Sequence, residues 1–227
     1  PGEGLRQNVE GVRQIFRRMR ERFPELVIKN CSSGGQRAEP AFGRLADMHS
    51  FSDAHTCKDI PVVAGNMARM IPSEQNQIWS VLRPDENKQR LLYSLAAAFI
   101  GRMCLSGEIW KLDAGQMQLV REAIELYTDV APIIRDGEFT RFGTWSPSRR
   151  HLTGWQAVTH TTDEHRLAII HRFGAGSQPD SLPVSSHDRI EHVMATEGTE
   201  VKVEGGELCI HKMAPWSGGV VLLTSQS

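Results

Sequence analysis

The sequence has few cysteines and no long apolar run, and these two shortages set the first limits on its class. Four cysteines are scattered over 227 residues, with no Cys-x-x-Cys pair among them. This spacing argues against a disulfide-stabilised secreted module and is typical of proteins from a reducing compartment. We therefore expect a cytoplasmic protein. No apolar run approaches the roughly 18 residues that a membrane-spanning helix requires, so we expect no membrane partner.

The chain also lacks an excess of either charge. It carries 26 basic and 27 acidic residues, a formal net charge of -1, which gives no field suited to nucleic acid. Basic residues cluster between Arg13 and Arg20, but Glu10, Glu21 and Glu25 surround them. A solvated helix face explains this cluster better than a phosphate-binding track does, and we expect no nucleic-acid partner.

The length and the first residues indicate a piece of a larger protein. A chain of 227 residues can bury a sizeable core, as one large domain or two small ones. It begins with Pro1 rather than Met and enters a helical pattern almost at once. We therefore expect these residues to belong to a longer polypeptide.

Helical and strand-like patterns alternate over residues 1–138. Apolar residues recur every three or four positions from Leu5 to Phe23, which predicts an amphipathic helix, and short apolar runs predict strands. The predicted helices are 5–23, 60–70, 84–103 and 113–137, and the predicted strands are 26–29, 46–51, 77–81 and 104–108. This order is that of about half of an eight-fold barrel of alternating strands and helices.

The pattern changes after Gly137. Residues 139–154 are interpreted as a linker, and strand-like runs follow at 155–160, 166–173, 189–195, 199–203, 207–211 and 219–224. Alternating residues on both sides of Gly205-Gly206 predict a hairpin. We expect a small antiparallel β-sandwich, which gives two domains, residues 1–138 and 139–227, and we expect the histidines of the second at its surface.

Two polar segments follow the first two predicted strands. One runs from Cys31 through Gly34-Gly35 to Arg37, and the other ends in Ser52-Asp53. Because the carboxyl ends of barrel strands converge on one face, we expect these segments to share a pocket. A glycine pair also lets the backbone approach a ligand closely.

The residues of both segments resemble a known family. Cys31-Ser-Ser-Gly-Gly-Gln-Arg-Ala-Glu39 is similar to the CSSGGGRFD-type loop of the family 36 glycoside hydrolases, the α-galactosidase family, and Ser52-Asp53 is similar to the SD of its WTSDNTD motif. The resemblance implies the C-terminal half of a (β/α)8 TIM barrel followed by an antiparallel β-sandwich. It also implies hydrolysis of terminal α-linked galactose with retention of configuration, and no cofactor.

The resemblance implies roles for the matching residues. Asp53 is the general acid/base, and Cys31, Gly34 and Gly35 contact the sugar. His49 is a further candidate for binding a sugar hydroxyl, with a satisfied core histidine as the alternative. Without the resemblance, Asp53 would be interpreted as capping a turn, and Cys31 as a small buried apolar residue.

A retaining glycosidase needs two carboxyl groups about 5 Å apart. The family supplies its nucleophile from the preceding barrel strand, in a lysine-x-aspartate setting that does not occur between Leu5 and Lys29. We therefore expect the nucleophile to lie outside these 227 residues, and the chain alone to be inactive.

Several alternatives stay open. The sequence departs from the family motifs at Gln36, Ala38-Glu39, Ser50 and Thr56. These departures keep open a non-catalytic carbohydrate-binding protein, an α-N-acetylgalactosaminidase, or galactosyl transfer of the raffinose-synthase kind. A homo-oligomer is also left open.

Other residue types near the motifs suggest further roles. The group His49, Asp53, His55 and Cys57 could hold a metal, although its spacing matches no common zinc pattern, and we expect no metal site. Arg37 is expected to hold its loop through Glu39 or Asp47. The tryptophans Trp79 and Trp110 are expected to contribute to packing, with stacking on a sugar ring as the alternative.

Overall fold

The computed structural model describes residues 2–31, 35–50, 52–54, 56–144 and 151–225. Within these ranges the helices are α1 (Gly2–Arg22), α2 (Pro40–Gly43), α3 (Ile60–Met67), α4 (Lys88–Ala98) and α5 (Ala114–Asp136). The first four strands are β1 (Lys29–Cys31), β2 (Met48–Ser50), β3 (Asn76–Leu82) and β4 (Arg102–Gly107). The remaining strands are β5 (Glu138–Gly143), β6 (Trp155–Thr161), β7 (His165–Arg172), β8 (Ser181–Pro183), β9 (Asp188–Ala195), β10 (Glu200–Glu204), β11 (Glu207–His211) and β12 (Ser217–Ser225).

Strands β1 to β4 form a parallel sheet in chain order. Parallel neighbours require a long crossover, and α3 and α4 supply the crossovers between β2 and β3 and between β3 and β4. The inward side chains Ile78 and Leu82 of β3 are fully buried. The alternation of strands and helices predicted for residues 1–138 is therefore present.

Helix α4 lies at the centre of the molecule. Its side chains Leu91 and Leu95 are completely buried in one large apolar cluster. A Cβ at Gly218 of β12 would lie 2.9 Å from Cα of Tyr93 in α4, so only glycine lets the strand approach the helix this closely. The parallel and antiparallel parts of the chain consequently share one core.

The larger antiparallel sheet, with strand order β5-β6-β7-β12-β9, is covered on both faces. Leu167 and Ile169 of β7 belong to the cluster with α4 and α5, whereas Ala168 and Ile170 pack with residues of the smaller sheet. Burial of both faces explains why residues 167–170 are all apolar instead of alternating.

The smaller sheet has the order β10-β11-β8. Glu204 pairs with Glu207 at the end of the β10–β11 ladder, and Gly205 and Gly206 have φ values of 60° and 83°. Two positive φ angles are what a type I′ hairpin turn requires, and glycine adopts them without strain. The predicted hairpin is confirmed.

Three predicted segments differ from the structure. The interpretation of residues 139–154 as a linker is wrong at its start, because β5 pairs with β6 along its whole length. The predicted strand 26–29 lies too early, since Val27 is exposed and β1 begins at Lys29. The predicted helix 84–103 is too long, because Asn87 caps α4 and Met103 belongs to β4.

The histidines of the antiparallel part are not all at the surface, which corrects that expectation. His160 and His171 are completely buried. Burial lowers the pKa of each to about 4, although the backbone of Ile100 and of Tyr93, respectively, acts in the opposite direction. Both imidazoles are therefore neutral at physiological pH.

Helix α1 lies at the edge of the structure and contains no buried residue. Its side chains Leu5 and Ile15 are 68% and 55% exposed, although they belong to its apolar positions. None of the described helices combines the length and the apolar character needed to cross a lipid bilayer.

Candidate active site

The carboxyl ends of β1 and β2 lie side by side. In the parallel register Cys31 pairs with Ser50, and each is the last residue of its strand. Adjacent strands are about 4.8 Å apart, and Asp53 follows Ser50 by only three residues. The polar segments after β1 and β2 therefore begin at the same edge of the sheet, as the sequence predicts.

Asp53 is exposed and lies in the irregular segment after β2. The preceding residue, Ser52, is buried, and its Oγ accepts a hydrogen bond of 2.9 Å from the backbone N–H of Ala54. This hydroxyl-stabilised turn fixes the backbone on both sides of Asp53. The carboxyl group is thus accessible from solvent on a locally ordered turn.

The loop after β1 is held by two side chains that donate hydrogen bonds to backbone carbonyl oxygens. Asn30 donates from Nδ2 to the carbonyl oxygen of Arg37 at 3.0 Å, and Arg37 donates from Nη2 to the carbonyl oxygen of Cys31 at 3.3 Å. Cys31 is exposed, and Gly35 has a φ of 83°, a conformation that glycine favours. Gly34 lies outside the described residues.

His49 is oriented differently from Cys31. Its Nδ1 lies 2.9 Å from Nδ2 of Asn30, and Asn30 precedes Cys31 on β1. Because successive side chains of a strand point to opposite faces, His49 and Cys31 lie on opposite faces of the sheet. His49 is also 1% exposed, and burial lowers its pKa. This geometry favours the alternative of a core histidine over a sugar contact.

The acidic partners expected for Arg37 are bound to other arginines. Glu39 pairs with Arg13 of α1 at 2.6 Å, and Asp47 pairs with Arg20 of the same helix at 2.7 Å. Arg37 does support its loop, as expected, but through the Cys31 carbonyl oxygen instead of a carboxylate.

The two tryptophans near this edge have different environments. Trp79 of β3 is partly buried, and the ammonium group of Lys29 lies 4.9 Å from its ring centroid. Trp110, just after β4, is 76% exposed, so the expectation that it contributes to packing is wrong. Sequence reasoning passed over Lys29, although its alternation with Cys31 on β1 predicts that both share one face.

The structure describes three of the four candidate metal ligands, His49, Asp53 and Cys57. Among the described residues, no group of three or more His, Cys, Asp or Glu side chains lies close enough to hold a metal ion. Cys57 is buried, its thiol donates to the carbonyl oxygen of Val81 at 3.2 Å, and burial raises its pKa. A protonated thiol is a poor metal ligand. His55 lies outside the described residues.

The known proteins that are similar to this chain in sequence are α-galactosidases. No protein-family model matches the chain. Two α-galactosidases of Pediococcus pentosaceus are similar in sequence: α-galactosidase 2 is 26% identical over 163 residues, 70% of this chain, and α-galactosidase 1 is 20% identical over 181 residues, 78% of this chain. These matches cover 22% and 24% of the two relatives, so the chain spans about a quarter of their length.

Solved structures of the same kind share the fold. The family 36 α-galactosidase AgaB of Geobacillus stearothermophilus superposes with a TM-score of 0.72 at 17% identity, over 94% of this chain and 30% of that protein. The galactosidase domain of the α-galactosidase–sucrose kinase AgaSK gives 0.71 at 16% identity, over 95% and 31%. The resemblance drawn from the two motifs is confirmed, and the fold is mixed α/β with antiparallel sheets.

Proposed function

We propose that the chain is the C-terminal half of a (β/α)8 barrel followed by an antiparallel β-sandwich, with the boundary near residue 138. In this proposal it belongs to a retaining glycoside hydrolase that removes terminal α-linked galactose, with Asp53 as general acid/base. The observation that carries the proposal is the common edge of β1 and β2, where Cys31 pairs with Ser50 and Asp53 follows. The similarity to α-galactosidases supports the substrate class.

The open sides of the parallel sheet support a missing half. Among the described residues, β1 and β4 each have a neighbouring strand on one side only. An exposed sheet edge normally finds a partner or a cover. The apolar residues Leu5 and Ile15 of α1 and Phe23 just after it, all more than half exposed, also lack the cover that apolar side chains require. Four further strands and their helices would close the sheet and bury this face.

The proposed reaction has two steps that share Asp53. First, a carboxylate outside this chain attacks the anomeric carbon while Asp53 gives its proton to the leaving glycosidic oxygen, which produces a glycosyl ester. Second, the Asp53 carboxylate takes a proton from water as that water attacks the anomeric carbon and releases the first carboxylate. The configuration of the sugar is therefore retained.

The proposed substrate contacts lie beside the acid. Cys31, Gly34 and Gly35 are proposed to contact sugar hydroxyls, because the loop after β1 begins at the same edge as the Asp53 turn. Structures of relatives from Geobacillus stearothermophilus contain raffinose, stachyose and 1-deoxygalactonojirimycin. We infer that the partner is an α-galactoside, and we assign His49 to supporting β1 instead of binding sugar. The four free cysteines support a reducing compartment.

The test compares variants of the longer polypeptide on nitrophenyl α-galactoside. We expect Asp53→Asn to lower kcat by about 100-fold or more, because the second step lacks its base. The matched control is Asp163→Asn, an exposed aspartate in the β6–β7 turn, which should change kcat less than twofold. Equal activity of the two variants would exclude Asp53 as acid/base. Galactoside binding without turnover in the longer polypeptide would favour a carbohydrate-binding protein instead.

A further inference from the structure

The segment that carries Asp53 is anchored at its far end by residues from outside the parallel sheet. The phenolic hydroxyl of Tyr93 in α4 donates to the carbonyl oxygen of Lys58 at 2.9 Å. The ammonium group of Lys58 lies 4.8 Å from the ring centroid of Trp216, just before β12 in the antiparallel part. A cation this close to an indole face is attracted by its π electrons.

Trp216 is held in an unusual backbone conformation. Its φ is 58°, in the left-handed region that a bulky side chain rarely adopts. Gln89 of α4 donates from Nε2 to the carbonyl oxygen of Pro215 at 2.7 Å and to Oγ of Ser217 at 3.2 Å, so both neighbours of Trp216 are fixed. Such strain persists where the surroundings over-determine the backbone, and it is often found near functional sites.

The indole also has fixed neighbours on its faces and edges. A Cβ at Gly174 would lie 2.7 Å from Cζ2 of Trp216, so this glycine leaves the space that the ring fills. The rings of Tyr93 and Trp216 are 6.3 Å apart at 67°, and the guanidinium of Arg90 lies 5.9 Å from the Trp216 centroid. The indole is therefore a rigid surface with two cations against it.

We propose that Trp216 is a positioning residue for Asp53 and acts through Lys58. The inference rests on the proposed function, in which Asp53 is the acid/base. Lys58 follows Asp53 by only five positions in the chain, and the Ser52–Ala54 turn holds the near end of this short stretch. In this proposal, the hold of Trp216 on Lys58 limits how far this turn, and with it the Asp53 carboxyl group, can move as a unit. The antiparallel part of the chain thereby contributes to catalysis without touching substrate.

This role predicts a dependence on the leaving group. Protonation by Asp53 matters most when the leaving oxygen is strongly basic, as in a sugar alkoxide, and least for nitrophenolate. A displaced acid should therefore lower kcat/KM for raffinose more than kcat/KM for nitrophenyl α-galactoside. Loss of general stability would lower both values in the same proportion.

The experiment uses the longer polypeptide and measures kcat/KM on both substrates. We expect Lys58→Met and Trp216→Leu to lower kcat/KM for raffinose about 10-fold, because small displacements of catalytic groups cost this much or more. The value for nitrophenyl α-galactoside should stay within twofold. Trp216→Phe keeps an aromatic face and should recover most of the raffinose activity. Lys202→Met, at an exposed lysine of β10, is the matched control.

The Asp53→Asn variant separates the two proposals. If it shows the selective loss on raffinose but Lys58→Met does not, the positioning role is overturned and the proposed function stands. If Asp53→Asn shows no selective loss, the proposed function fails and the positioning role fails with it. Lys58 is exposed, so we expect Lys58→Met to fold. This variant therefore tests the positioning role even if Trp216→Leu does not fold.

Discussion

Arg20 of α1 and Asp47, the residue before β2, form an ion pair with 2.7 Å between Nη2 and Oδ2. The same carboxylate oxygen accepts a hydrogen bond of 2.6 Å from the backbone N–H of Ile28, and Arg20 also donates to the carbonyl oxygen of Leu26. This small network joins α1, the start of β1 and the start of β2. It connects the outermost helix to the edge of the parallel sheet.

Replacing Asp47 by alanine should lower the free energy of unfolding by about 1 kcal/mol, because Ile28 loses its hydrogen-bond acceptor and an ion pair that solvent partly screens is lost. The measurement is urea unfolding at neutral pH.

The stabilisation by Asp47 should also depend on pH. Burial raises the pKa of Asp47, but the Ile28 amide and Arg20 outweigh it and hold that pKa below its usual value. The stabilisation should thus be present above about pH 4 and disappear as the pH falls through the folded-state pKa. Asp136→Ala, which breaks an exposed pair with Arg135, is the control and should have a smaller effect.

The two buried histidines of the antiparallel part, His160 and His171, should make stability fall in mild acid. The pKa of His160 and of His171 is lowered to about 4 from 6.5. Between these two pH values the unfolded chain therefore binds more protons than the folded chain does. Stability is fully present above pH 6.5, falls as the pH drops from 6.5 to 4, and levels off below. Each histidine should contribute a loss on the order of 3 kcal/mol.

The check is the unfolding free energy measured at intervals between pH 8 and pH 4. His160→Gln should remove about half of the slope that His160 and His171 contribute together, because glutamine does not titrate. An unchanged slope in that variant would mean that His160 is not the source. His165→Gln, at a partly exposed position of β7, serves as the comparison and should leave the slope nearly as it is.

Gly107 should not tolerate a side chain. Its φ is 92°, and a Cβ there would lie 2.1 Å from the carbonyl oxygen of Leu82. Gly107→Ala should therefore cost at least about 2 kcal/mol of stability. Gly198→Ala is the matched control, since its φ is 81° but nothing lies within 4 Å of the added Cβ. It should cost about 1 kcal/mol, and thermal unfolding of both variants measures the difference.

Replacing Gln116 by alanine should lower the stability more than replacing Asp113, its partner in the helix cap, does. Asp113 and Gln116 form a reciprocal capping box at the start of α5. Gln116 also donates from Nε2 to the carbonyl oxygens of Pro84 and Glu86, at 3.1 and 3.0 Å. Asp113→Ala should cost about 1 kcal/mol, and Gln116→Ala about 2 to 3 kcal/mol, because two carbonyl groups lose their donor. Equal losses in urea unfolding would contradict this order.

Sequence patterns correctly predicted the structural features that depend on residues close together in the chain. The start of α5 near residue 113 and the glycine hairpin between β10 and β11 were predicted from sequence, because each depends on residues only a few positions apart. The parallel order of β1 to β4 followed from the alternation of helices and strands. The common edge that holds Cys31 and the Asp53 turn followed from that order in turn.

The features that sequence patterns did not predict depend on tertiary packing. The burial of His160 and His171 was missed because the larger antiparallel sheet is covered on both faces, so alternation along its strands no longer marks a solvent side. Sequence alone did not decide between the two roles of His49, because the faces on which His49 and Cys31 lie depend on the register between β1 and β2. The partners of Glu39 and Asp47 were missed because both are arginines of α1, more than 25 residues away in sequence.

The larger antiparallel sheet, with α4 against one face and the small sheet against the other, limits how this protein can be taken apart. Cutting the chain after α5 would expose leucines and alanines of α4 to water, and the detached part would expose Val220 and Leu222 of β12, which belong to the same apolar cluster. Neither piece should be recoverable in soluble form by itself. Transfer of the antiparallel part to another barrel would therefore require that the residues of α4 that pack against β12 are transferred as well.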